Sequence, residues 1–258
     1  MHVRNTSPLR ERSKEMTRAL PLLLLAIGSA SAFSLGAMPL ASAQHAARTE
    51  QKARGGASCL RAMAGGQEKE GAKLRALCVL ATGFEEMETV APIDILRRAS
   101  IDVTVAALST ELTVKGRNGM FMVADTDLDS ALAKGDYDCV IIPGGPPAVP
   151  SVGTLASDGR VVNLLKSQMS SGRLVSAICA APSVLMHAGV LEGKKYTAHF
   201  SVRDAVPAMD KTQAVVVDSN LVTSQGAGTA TEFALALVEQ LVDKKTADDI
   251  AASICWKH

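Results

Sequence analysis

From Lys73 to the C-terminus the sequence predicts a single α/β domain, a mainly parallel sheet with helices on both faces. Short apolar runs of strand length end at turn residues, and the stretches between them carry the apolar spacing of amphipathic helices. No internal repeat and no Pro/Ser-rich linker divides residues 73–258, so strand and helix alternate within one unit.

The elements follow in order. Residues 74–81 form an apolar run closed by Thr82-Gly83, which reads as a buried strand and a turn. Residues 86–99 have helical spacing at Met87, Val90, Ile93, Ile95 and Leu96, with acids first and Arg97-Arg98 last, as the helix dipole favours. Residues 103–108 are the next strand. Cys139–Ile142 is another, stopped by Pro143-Gly144-Gly145. Residues 161–170 read as helix, Leu174–Ile178 as strand and 180–188 as helix. Residues 195–198 are short and strand-like. Val215–Asp218 and Leu221–Ser224 read as a hairpin around Ser219-Asn220. Residues 229–242 and 247–254 close the chain as helices.

The N-terminal part has a different character. Arg18 precedes an apolar run, 20–27, too short to span a membrane, and small residues follow from Gly28 to Ala32. Residues 1–32 therefore read as a signal peptide, leaving no membrane segment in the mature chain. Residues 33–72 are rich in Ala, Ser and Gly. Between Phe33 and Gln67 the bases are Arg48, Lys52, Arg54 and Arg61, against the single acid Glu50. That is the composition of a transit peptide. The junction Ala30-Ser31-Ala32-Phe33 resembles that of bipartite plastid presequences. Plastid delivery is the preferred expectation and secretion or an endomembrane location the alternative.

Net charge is +1 and aromatics make up 3% of the chain, which gives no basis for nucleic-acid binding or attraction to a membrane surface. Five cysteines, an odd number with no CxxC pair, argue against a zinc cage and a closed disulfide framework. Cys78 and Cys139 lie in apolar strands and read as small core hydrophobes.

Ligands of such sheets bind beyond the C-terminal strand ends, and three segments put reactive groups there. Cys179 follows Leu174–Ile178 directly, before the helix opened by Ala180-Ala181-Pro182. The positive end of a helix is expected to lower its thiol pKa, and the small neighbours suit a nucleophile elbow with Cys in place of Ser. Glu85, Glu86 and Glu88 follow the first strand. Glu85 and Glu86 read as a solvated helix start, whereas Glu88 could face the sheet edge as a proton donor or acceptor near the thiol. His199 ends Thr197-Ala198-His199; a lone histidine is more often structural. Gly144 and Gly145 free backbone N–H groups that suit an oxyanion or simply a tight turn.

Four ordered strings, Glu85-Glu86-Met87-Glu88-Thr89, Ile142-Pro143-Gly144-Gly145, Ala177-Ile178-Cys179-Ala180-Ala181-Pro182 and Thr197-Ala198-His199, strongly resemble the DJ-1/PfpI superfamily. The similarity runs from about Lys73 to about Val242 and is greatest to the DJ-1/YajL branch. It implies a flavodoxin-like doubly wound sandwich, a homodimer, and no metal or organic cofactor. It makes Cys179 the nucleophile, Glu88 the acid beside its sulfur and His199 the nearby histidine. Gly144, Gly145 and Ala180 become oxyanion or substrate-binding positions.

The sequence also departs from the pattern. Phe200 and Ser201 stand where hydrolytic members place an acid after the histidine. Asn118, with Arg117 beside it, stands where close relatives carry an arginine. Ala227 replaces the proline of the Gly-x-Gly-Thr loop. The resemblance implies glutathione-independent glyoxalase or deglycase chemistry on a small dicarbonyl, methylglyoxal or glyoxal, giving lactate or glycolate. The alternative is a redox-sensing, stress-protective chaperone governed by Cys179 oxidation, with amidase or peptidase activity behind both. For the leader, a fluorescent tag on the full chain is expected to label plastids; uniformly cytosolic fluorescence would overturn both targeting readings.

Overall fold

The computed structural model describes residues 73–147 and 151–257; the leader segments 1–32 and 33–72 lie outside the described residues. In chain order, β1 (Arg75–Leu80), α1 (Glu86–Arg98) and β2 (Asp102–Ala107) come first. A small hairpin follows, β3 (Thr113–Lys115) and β4 (Phe121–Val123), then β5 (Thr126–Asp127) and α2 (Leu128–Ala133). The middle of the chain holds β6 (Cys139–Ile142), α3 (Val152–Ser157), α4 (Gly159–Ser170), β7 (Leu174–Ile178) and α5 (Pro182–His187). The last elements are β8 (Val215–Asp218), β9 (Leu221–Ser224), α6 (Ala230–Leu241) and α7 (Lys244–Ser253).

The described residues form a seven-stranded sheet ordered β5-β2-β1-β6-β7-β9-β8 and a separate β3-β4 pair. Within the large sheet every neighbouring pair is parallel except β8 with β9. Taken alone, β1, β2, β6, β7 and β9 give the order 2-1-3-4-5 of flavodoxin-like folds. The chain leaves β1 towards β2 on one side and returns to β6 on the other. The crevice beyond β1 and β6 is therefore the topological switch point, where such sheets bind ligands.

Sheet faces covered on both sides explain the uninterrupted apolar runs. Ala76, Leu77, Cys78, Val79 and Leu80 of β1 are fully buried, as is every residue of β6. Helix α1 packs on α6 and α6 on α7, while α3, α4 and α5 pack among themselves. Helix α1 tolerates Pro92 in its interior, which removes one backbone donor and leaves the Glu88 carbonyl without its i+4 partner.

Several elements differ from the sequence expectation. Residues 195–198 are not a strand and make only one isolated bridge, Thr197 to Asp210. Side chains take the amides that a ladder would use: Lys195 donates to Asp218 at 2.7 Å and Thr197 to Thr223 Oγ1 at 2.9 Å. Helix α5 begins at Pro182 rather than Ala180, so Ala180 and Ala181 form the turn itself. Helix α7 starts at Lys244, three residues early, because Asp243 caps it by accepting from Thr246 N at 2.7 Å.

Phe233 of α6 is fully buried, whereas Val217 on edge strand β8 is 43% exposed. Phe233→Ala is expected to cost about 3–5 kcal/mol and Val217→Ala under about 1 kcal/mol. Urea denaturation reads both, and equal costs would contradict the placement of α6 against the core.

Candidate active site

Cys179 sits in the left-handed region at φ 65°, a conformation that costs a non-glycine residue about 1–2 kcal/mol. Its backbone is held from both sides. Its N–H donates to Ser224 O at 2.9 Å, and its carbonyl accepts from His199 N at 2.8 Å. The first bond comes from the end of β9, the neighbour of β7, and the second ties the His199 loop to the elbow. The turn leaves the thiol 7% exposed at the C-terminal end of the sheet.

Glu88 reaches the same point from α1. Glu85 caps that helix by accepting from Glu88 N at 2.8 Å, and Thr89 Oγ1 donates to Glu85 O at 2.8 Å. The Glu88 side chain is 1% exposed. The Cys179 thiol and the Gly144 N–H lie near enough to influence its carboxyl. Neither completes a hydrogen bond of ordinary geometry, and Oε2 is buried with no partner.

Two glycines make room for this meeting. A Cβ on Gly144 would lie 2.7 Å from Cys179 Cβ and 2.9 Å from Ile178 O, and would run into Glu88 Oε2. A Cβ on Gly226 would stand 3.4 Å from His199 Cδ2, 3.8 Å from Glu88 Oε1 and 3.9 Å from Cys179 Sγ. Gly226 thus faces the three reactive side chains at once. Gly145 lies further out, where a Cβ would meet Gly83 O at 2.5 Å and Ser151 Oγ at 2.6 Å.

The expected solvated start of α1 is not observed. Glu85 is 7% and Glu86 6% exposed. Glu85 is the cap, and Glu86 accepts from Asn118 N at 2.7 Å and Asn118 Nδ2 at 3.0 Å. The β3-β4 hairpin covers these acids. It is tied to the β1-α1 loop by Gly83 N to Lys115 O at 2.7 Å and Arg117 N to Phe84 O at 2.9 Å. Sequence reasoning missed this because the covering residues come from two three-residue strands.

The expected lowering of the Cys179 pKa is also reversed. Burial pushes the thiol well up, the nearby Glu88 carboxyl adds to this, and the Ala180 N–H pulls the other way. Helix α5 has only six residues, so its field is weak against burial. Glu88 is pushed up to about 7 by burial first. The Glu85 charge adds to that, while the Cys179 thiol, the Gly144 N–H and Arg117 oppose it. Two adjacent anions are disfavoured here, so one member of the pair keeps its proton while the other is charged.

His199 is held below its ordinary pKa by burial and then by Arg117, which keeps the ring neutral. Its Nδ1 lies 2.8 Å from Ser201 Oγ and accepts from Ser201 N at 3.3 Å. A ring that accepts at Nδ1 carries its proton on Nε2. Phe200 lies against the ring, with centroids 4.1 Å apart. Among the described residues no cluster of His, Cys, Asp and Glu suits a metal ion.

In the folded chain Glu88 keeps its proton to about 7, against an ordinary value of 4.5. Between those values the folded state binds more protons, so stability falls as pH rises. Glu88→Gln carries no such proton. It is expected to match the wild type near pH 4 and to exceed it above pH 7 by up to about 3 kcal/mol. Denaturation across that range reads the difference, and a pH-independent difference would contradict the buried carboxyl.

A model described as the DJ-1/PfpI family matches residues 74–240. Protein DJ-1alpha of Drosophila melanogaster is 40% identical over 188 residues, covering 71% of this chain and 84% of the relative. The glutathione-independent glyoxalase DJR-1.2 of Caenorhabditis elegans is 36% identical over 176 residues, covering 66% of this chain and 90% of the relative. The crystal structure of Drosophila melanogaster DJ-1beta superposes with a TM-score of 0.68 at 38% identity, covering 72% of this chain and all of that one. With most of the folded chain matched by the family model and by these relatives, the protein belongs to the DJ-1/PfpI family.

Proposed function

We propose that the chain is a glutathione-independent glyoxalase acting on methylglyoxal or glyoxal. The observation that carries this reading is the buried, unpartnered Oε2 of Glu88 beside Cys179. A carboxyl oxygen left without a partner at a position this buried is costly unless a substrate proton or hydroxyl completes it. The glyoxalase relative supports the same reaction class.

In this mechanism the Cys179 proton passes to Glu88, and the thiolate adds to the aldehyde carbon of methylglyoxal. The resulting alkoxide takes up a proton to give a hemithioacetal, with the Ala180 N–H available to the developing charge. Glu88, having given its proton to that alkoxide, is now a carboxylate and removes the proton from the former aldehyde carbon, giving an enediolate. The hydroxyl proton of that carbon passes to the adjacent oxygen, and Glu88 returns its proton to the neighbouring carbon, which leaves a thioester of lactate on Cys179. Water cleaves the thioester, releasing lactate and restoring the thiol. No electron acceptor is consumed, because one carbon is oxidised as its neighbour is reduced.

His199 contributes as a neutral donor. Its Nε2–H can hold a carbonyl or enediol oxygen, while Ser201 fixes the ring. A triad that deprotonates the nucleophile through histidine needs an acid at this position, and the ring here has a serine partner instead.

The full chain is expected to convert methylglyoxal to lactate without added glutathione. Cys179→Ser and Glu88→Gln are expected to lower the rate at least about a hundredfold, and His199→Asn about tenfold or more. Lactate assay reads all three, and unchanged turnover in either of the first two variants would overturn the mechanism.

A further inference from the structure

Next to the reactive cysteine, but separate from it, lies an open groove of about 620 Å³. Its walls include Phe200, Met209, Arg203 and Lys211, and it shares His199 and Gly226 with the active site. Gly226 joins the two: its α-carbon faces Cys179 Sγ, Glu88 Oε1 and the His199 ring, and the residue also lines the groove. Methylglyoxal is far smaller than this space, which is in the range that holds ligands of drug size.

The groove has a charge. Arg203 and Lys211 are both exposed cations on its wall, and none of the described residues lining it is acidic. Among the described residues Arg203 pairs only with the Asp204 carboxylate, at 3.9 Å and fully exposed, which leaves the guanidinium available. The Lys211 ammonium has no carboxylate partner among the described residues. Beside the cations Phe200 offers a ring that is 69% exposed, an unusual state for phenylalanine in a protein whose aromatics are few. A cationic wall, an exposed ring and an adjoining nucleophile together suit a molecule with a planar apolar body and an anionic end.

We infer that this groove is a substrate subsite for a carboxylate-bearing carbonyl compound larger than methylglyoxal. The carboxylate pairs with Lys211 and Arg203, the apolar body lies along Phe200 and Met209, and the carbonyl reaches past Gly226 to Cys179. The inference deepens the proposed reaction by naming the substrate class, and it rests on that reaction only for turnover. Binding in the groove is independent of it.

The test uses hippurate, a benzoyl group ending in a carboxylate, and its neutral amide, hippuramide. Calorimetric titration of the full chain is expected to give hippurate at least about tenfold tighter binding than hippuramide. Hippurate is also expected to slow alkylation of Cys179 by iodoacetamide, read site by site by mass spectrometry, while exposed Cys255 reacts unchanged. Arg203→Gln/Lys211→Gln is expected to bring the two ligands to within about twofold. Equal or absent binding of the two by the wild type would overturn the subsite, as would discrimination that survives in the double variant. So would hippurate binding that leaves Cys179 alkylation untouched. Groove binding without methylglyoxal turnover would remove the glyoxalase reading and leave the subsite standing.

Discussion

Cys179 is held at φ 65° by the Ser224 carbonyl on its amide and the His199 amide on its carbonyl. The other contacts of the site take their positions from this turn. The elbow lifts the side chain off the end of β7 towards β6, where Gly144 has no Cβ to obstruct it. It also brings the His199 loop down onto β7 although residues 195–198 form no strand. A left-handed non-glycine residue persists only where its surroundings over-determine it. Two backbone bonds from different parts of the chain do so here, and they leave the Cys179 side chain few positional freedoms.

Much of this was legible in the sequence, for a physical reason. Strands β1, β6 and β7 are buried on both faces, so they appear as apolar runs bounded by turn residues. Their ends carry Cys179, Gly144 and the loop leading to Glu88. The β3-β4 hairpin was not legible. Its strands are three residues long, and Phe121 and Val123 are exposed, so no stretch has a recognisable period. Glu86 shows the consequence. Glu85 and Glu86 read as a solvated helix start, because the partner that buries Glu86 is Asn118, 32 residues further on. Ser201 was visible only as the absence of an acid after the histidine; its bond to Nδ1 depends on the 3₁₀ turn Phe200–Val202.

The reversal at the thiol has the same origin. A local reading places Cys179 before a helix and infers an acidic thiol. The tertiary setting adds burial and two carboxylates, Glu88 and Glu85, whose effect runs the other way. Local dipoles act over about one turn and desolvation over the whole group, so burial wins. What the Ala180 N–H still contributes is a partial offset that eases the thiolate against burial.

The limit on negative charge in the site also explains why a serine rather than an acid suits the position beside His199. Glu85 and the one charge shared by Glu88 and Cys179 already put negative charge into a space where Arg117 is the nearby cation acting on both Glu88 and His199. An aspartate at position 201 would favour a proton on the imidazole, a change that makes histidine a base. Ser201 instead lets the ring stay neutral with its proton on Nε2. In the proposed reaction the acid–base work then falls to Glu88, alone among the described carboxyls in being buried, without a partner on Oε2 and poised near neutrality. Proton transfer between adjacent carbons needs one group that can take a proton and return it, and this arrangement leaves one such group beside the sulfur.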